Sequence, residues 1–237
     1  MKLRIRYQKL GKVRFTSHRD AARIWERAIR RTGFPVAYSE GFSPRPRLSF
    51  GLALSTGHES LADYLDITVD PERAADVELA DLPERLTRAL PVGMVCDAAI
   101  TLPPGAVSLQ EAVSSCSWEI HVAEDADTVA GWIGRVLDAP TLIVTRERKG
   151  KPVTEDLRPS IRALAVGGEP HGGTRLIAEL ATSPRALRPT ELLDLGEPRL
   201  TEGLIRRTAQ WIESEGRRLQ PLEVVAPAAP RTEVCAS

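Results

Sequence analysis

Arginines 23, 27, 30 and 31 recur at intervals of three and four within DAARIWERAIRRT, so a helix there gathers them on one face. Such a row can follow a phosphate backbone, and like charges held this close repel unless an anion neutralises them. Arg14, Arg19, Arg45 and Arg47 flank the segment, and Lys2, Arg4, Arg6, Lys9 and Lys12 precede it. Residues 1–50 carry thirteen Lys/Arg against three acids, a balance of +10, whereas residues 51–140 carry four against sixteen, or −12. A net charge of zero over the whole chain therefore conceals a basic head that an anionic partner can neutralise. The plain alternative is a solvated face, because arginine is a good helix former.

SEGFSPRPRLSF, residues 39–50, adds a second feature. Pro44 and Pro46 exclude helix and withhold ladder donors, which holds RPR extended and sends Arg45 and Arg47 to the same side. Gly41 permits an unusual turn, and Phe42 beside it offers a face for a stacked base, with Tyr38 nearby. The competing reading is a rigid loop that plugs Phe42 into the core.

His18 invites an acid–base role because it stands at a helix start beside Arg19 and Asp20. Ser17-x-x-Asp20 matches a capping box, which makes His18 the first helical residue and offers an anion a place at the helix N-terminus. Capping, anion contact and catalysis all stay open, with His18 the one weak catalytic candidate. His58, His121 and His171 form no ligand spacing, and Asp63, Asp66, Asp70 and Glu59 read as ordinary surface, so no metal site is expected. TRERKGKPVTEDLRP is a basic arm with Gly150 at its tip, either a second nucleic-acid contact or a mobile loop. No phosphate-binding glycine loop, dinucleotide fingerprint, nucleophile elbow or zinc-protease motif occurs, and no cofactor is expected.

The elements that must position these residues alternate in type. LRIRYQ has the period of a half-buried strand, and the helix that opens at SHRD buries Ala21, Ile24, Trp25, Ala28 and Ile29 before Gly33 ends it. RLSFGLAL and DYLDITV read as strands, ELADLPERLTRAL as a helix and VGMVCDAAITL as a strand. After a low-pattern stretch the order recurs: SWEIHVA strand, DADTVAGWIGRVLDA helix, a long arm or hairpin, GTRLIAELAT strand, PTELLDLG helix, and LIRRTAQWIE as strand or helix. The expected fold is α+β, two tandem ferredoxin-like (βαββαβ) modules. The expected boundaries are 1–102 for the basic N-terminal module, 103–115 for a linker, 116–222 for the C-terminal module and 223–237 for a disordered tail. Three unpaired cysteines, no apolar leader and no run of about 20 apolar residues point to a cytoplasmic protein with no membrane partner.

RFTSHRDAARIWERAIRRTGFPVAYSEGFSPRPRLSFGLALSTGHES resembles the radical-SAM-linked (radical-SAM-associated) proteins of unknown function, found beside or fused to B12-binding-domain radical SAM proteins. The likeness is clearest over Tyr7 to about Val69, with Leu157-Arg158-Pro159 adding to it. It implies a radical SAM protein as partner, and its described genomic neighbourhood of RNA-processing and ribosomal genes implies tRNA or rRNA as substrate. The chain lacks the closely spaced cysteine triplet that holds such a catalyst's cluster, so it is not itself that enzyme. A fainter similarity is to the Cas6-like RNA-processing proteins, whose C-terminal glycine cluster is missing from EGLIRRTAQWIESEG. Three functions are therefore carried forward: an RNA-binding accessory protein, a docking module for the radical SAM partner without RNA contact, and an endoribonuclease using His18.

Overall fold

The computed structural model describes residues 1–148, 150–168 and 172–223. His171, Cys235 and all of the expected tail except Glu223 lie outside the described residues. In the first half the elements are β1 (Lys2–Lys9), α1 (His18–Thr32), β2 (Leu48–Phe50), β3 (Glu59–Thr68), α2 (Leu82–Ala89) and β4 (Met94–Leu102). Then come α3 (Leu109–Ala112), β5 (Val113–Val122), α4 (Ala126–Asp138), β6 (Ile143–Arg148), β7 (Lys151–Asp156), β8 (Ile161–Val166), β9 (Thr174–Ala181), α5 (Pro189–Leu193), β10 (Glu202–Ser214) and β11 (Arg217–Leu219). The stretch 103–115 holds α3 and the first residues of β5, and only Leu48–Phe50 of RLSFGLAL is strand.

One mixed sheet runs through both halves in the order β4-β1-β3-β10-β5-β9-β8, with β2 paired to β3 and β11 to β10. β6 and β7 form a separate hairpin whose turn contains Gly150 in the left-handed region, φ +74°. The join between the halves is short. β3 gives the N-terminal part of one edge to β10, in parallel register Arg206↔Glu59 and Arg207↔Ser60, and the C-terminal part to β2, antiparallel at Leu48↔Ile67. LIRRTAQWIE is therefore strand, as one of its two expected readings had it. Its apolar and polar residues fit either period, but pairing with β5 along its length settles strand.

Each half packs helices on the sheet. Leu3, Ile5, Tyr7, Leu65 and Ile67 meet Trp25 and Ile29 of α1 and Leu86 of α2 in one core. Ile120, Leu176 and Leu180 meet Val129, Trp132 and Val136 of α4 and Leu192 of α5 in the other. The burial removes roughly 1.5–3 kcal/mol worth of apolar surface from water per large side chain. The opposite face of the first half is also covered, and Arg4 points there rather than to solvent. It is almost wholly buried, and its Nε and Nη2 donate to Asp66 Oδ1 and Oδ2 at 2.7 and 2.8 Å across the β1–β3 pair.

Candidate functional site

α1 forms where its sequence signals fall. Ser17 Oγ accepts the Asp20 N–H at 3.1 Å, and Gly33 closes the helix in the left-handed region at φ +64°, where a Cβ is disfavoured. Ala21, Trp25, Ala28 and Ile29 face inward, with Trp25 edge-on to Tyr7 at 4.9 Å between ring centroids. Arg19, Arg23, Arg27, Arg30 and Arg31 are exposed along about 18 Å of helix. Arg23 pairs with Asp20 at 3.4 Å, and Arg31 donates to the Ala89 carbonyl at 3.4 Å. Among the described residues, the side chains of Arg19, Arg27 and Arg30 make no ion pair or hydrogen bond.

The Pro/Arg stretch is the tip of a second structure that follows that helix in the chain. The Arg47 N–H donates to Ala37 O at 2.8 Å and the Ser39 N–H to Arg45 O at 2.9 Å, while Tyr38 bridges Pro46. Residues 36–47 thus fold back as an irregular hairpin, with Gly41 at φ +122° in its tip. Phe42 is fully exposed, which overturns the reading that it plugs the core. Tyr38, Arg45 and Arg47 are exposed as well, and neither arginine side chain has a partner among the described residues. The question raised by two prolines among glycine, serine and arginine is answered by a stiff finger that holds an aromatic ring and two cations in solvent.

Most of the rest of the expected basic head is turned to partners within the molecule. Arg4 is bound to Asp66, Arg6 to Asp97 at 2.9 Å, and Arg14 lies 3.9 Å from Glu59 and over the Phe15 ring. Lys9 is buried and donates to Thr16 O at 3.0 Å. Lys2 and Lys12 are exposed.

Two of the four acids read as ordinary surface, Glu59 and Asp63, hold the seam between the halves instead, while Asp66 pairs with Arg4 within the first half. Arg207 and Asp63, both buried, meet at 2.6 Å, and Arg206 reaches Glu59 at 2.8 Å. Burial works against charge on Arg207, but Asp63 together with Cys116 and Tyr7 raises its pKa overall. Burial would also raise the Glu59 carboxyl, yet the Gly11 N–H and Arg206 hold it below the usual range. Burial lowers Lys9, with Asp63 opposing and Arg207 adding to the shift, and it pushes the Tyr7 hydroxyl well up. His58 is buried edge-on to Trp118, its pKa lowered first by burial and then by Arg207 and Lys9, so it is neutral at physiological pH. Asp70 alone of the four acids stays near a turn, capping Glu72 N–H at 3.1 Å.

Beside this seam a cleft of about 550 Å³ opens between the residue 52–56 loop, β5, β10 and the segment leading into α5. Leu52, Leu54, Trp118, Leu180 and Leu187 give it apolar walls, and Arg188 and Arg207 give it positive charge. His18 lies on its border, its ring edge-on to Phe50 at 5.3 Å. The start of α1 therefore belongs both to the arginine face and to the cleft. No acid lines the cleft, and the buried Nε of Arg207 and Nε1 of Trp118 have no hydrogen-bond partner among the described residues. Among those residues no group of three or more His, Cys, Asp or Glu is placed to hold a metal, and no helix is long and apolar enough to cross a membrane.

α1 carries Arg19, Arg23, Arg27, Arg30 and Arg31 on its exposed face and the finger carries Tyr38, Phe42, Arg45 and Arg47, while His18 stands at the cleft border and Arg14 turns toward Glu59. In the sequence Asp63 reads as ordinary surface and His58 forms no ligand spacing, and nothing there marks Trp118 or Arg207. Arg207 lies 144 residues from Asp63, and no local period marks such a pair.

A family model described as an uncharacterized protein conserved in bacteria, DUF2344, matches residues 2–189. With that share of its length matched, the chain belongs to this family. No curated protein matches the chain. Among solved structures it is similar to a chain in the crystal structure of a Cbf5-Nop10-Gar1 complex, at 9% identity and a TM-score of 0.47. That alignment covers 88% of this chain and 48% of the other, so the chain spans about half the length of that neighbour.

Proposed function

We propose that this protein binds structured RNA, tRNA or rRNA, through the exposed face of α1 and the Pro/Arg finger, and serves as an accessory to a radical SAM enzyme. The carrying observation is that Arg19, Arg27, Arg30, Arg45 and Arg47 find no acid or carbonyl within the described protein, whereas fourteen other arginines are ion-paired. Repulsion among such a row is relieved by an anionic backbone, and the fully exposed Phe42 supplies a stacking surface at its end. The radical SAM role rests on the sequence resemblance.

We also read the two halves as tandem ferredoxin-like modules. The order β4-β1-β3-β2 in the first and β10-β5-β9-β8 in the second support that reading, since each places its own fourth, first, third and second strands in that sequence. Arg27→Glu/Arg30→Glu should weaken tRNA binding by at least tenfold without changing the melting temperature, read by fluorescence anisotropy. Unchanged binding contradicts the proposal. A stoichiometric, RNA-free complex with the radical SAM protein that survives in wild type and is lost in this variant favours protein docking.

A further inference from the structure

We infer that the cleft between the halves takes a single unstacked base of the RNA strand that α1 holds. This rests on the RNA-binding reading above and names what the neighbouring cavity does for it. A space of about 550 Å³ lies within the range of small-ligand sites and has room for one nucleoside. Its lining selects the chemistry. Leu52, Leu54, Leu180 and Leu187 offer flat apolar contact, as a planar ring requires. Arg188, exposed at the rim with no acid in the lining, calls for a ligand rich in acceptors, whereas the charge of Arg207 is already met by Asp63. Behind the same wall the Nε–H of Arg207 and the Nε1–H of Trp118 are buried with no acceptor among the described residues, an unmet polar demand next to the cleft.

A base meets these demands with its ring carbonyls, while its own phosphate stays outside. The geometry supplies the path. His18 borders the cleft and is the first residue of α1, whose outward face carries the unpaired arginines, so a backbone tracking those arginines passes the mouth. The loop that forms one lip is fixed by the Gly57 N–H on Arg14 O at 2.8 Å and the Gly51 N–H on Tyr64 O at 3.0 Å, so the opening is built before the strand arrives.

The test uses the full chain with a short uridine-rich single strand and a fully paired duplex of equal length. Ala186→Trp places a ring at the cleft rim from an exposed position, and Arg188→Ala removes charge there without bulk. Both should weaken the single strand about tenfold and the duplex less than twofold. In wild type, 4-thiouridine in the single strand should cross-link to the peptide holding Cys116 and Trp118. Equal loss on both RNAs, no loss on either, or cross-links confined to α1 and the finger overturn the cleft assignment and leave the arginine face standing. A wild-type protein that binds neither RNA overturns both.

Discussion

Arg207 and Asp63 show how much one buried pair can carry. Each is nearly sealed from water, so removing one partner strands the other's charge in the seam. Asp63→Asn should destabilise the protein by about 3–5 kcal/mol, read from urea unfolding, whereas Arg88→Ala, which breaks an exposed helix pair, should cost less than about 1 kcal/mol. His58 gives a pH signature. Its folded pKa lies below the ordinary value of about 6.5, so the unfolded chain takes up the proton first as pH falls. Its contribution is therefore complete above that value and lost as pH drops through the lower, folded one. Unfolding free energy should fall as pH drops below about 6.5, and His58→Gln should flatten that slope. Glu59, also depressed, acts in a separate window below its ordinary value of about 4.3. None of these roles was legible in the sequence, because DYLDITVD shows where acids alternate and not which arginine, 144 residues on, crosses to meet them.

Elements were legible where a local rule decides them. α1 carries its cap, its 3.6-residue period and its stop within one short segment, and the structure follows all three. Ser17→Ala should cost about 0.5–2 kcal/mol by removing the acceptor for Asp20 N–H. β10 could not be decided locally, since its period suits helix and strand alike and only its partners β3 and β5 fix it. β2 shrank to three residues because β10 occupies the other part of the β3 edge it was expected to share. The finger was legible in its stiffness but not in its direction. Phe42 faces water, so Phe42→Ala should leave the melting temperature unchanged within about 1 °C, since surface substitutions away from contacts stay near zero. The same variant should weaken RNA binding by about 5- to 150-fold, at roughly 1–3 kcal/mol for a lost stacking partner.

The whole molecule is tied together by β10. It closes the second half, covers an edge of the first, and sends Arg206 and Arg207 across the join. A piece ending at residue 102 would lose those partners and expose both the β3 edge and the underside of Arg4. The charge pattern makes the same point at larger scale. The basic head is real as a count, yet Arg4, Arg6, Lys9 and Arg14 are turned to internal partners, leaving α1 and the finger, with Lys2 and Lys12, as its outward part. The central claim is that this part meets RNA phosphates. Its most direct measurement is binding of tRNA across a salt series by wild type and by Arg27→Glu/Arg30→Glu. Wild type should show a log–log slope of about −3 to −4, at roughly 0.7–0.9 per phosphate contact, and the variant a slope shallower by about 1.5. A flat slope, or the same slope in both proteins, would contradict that claim.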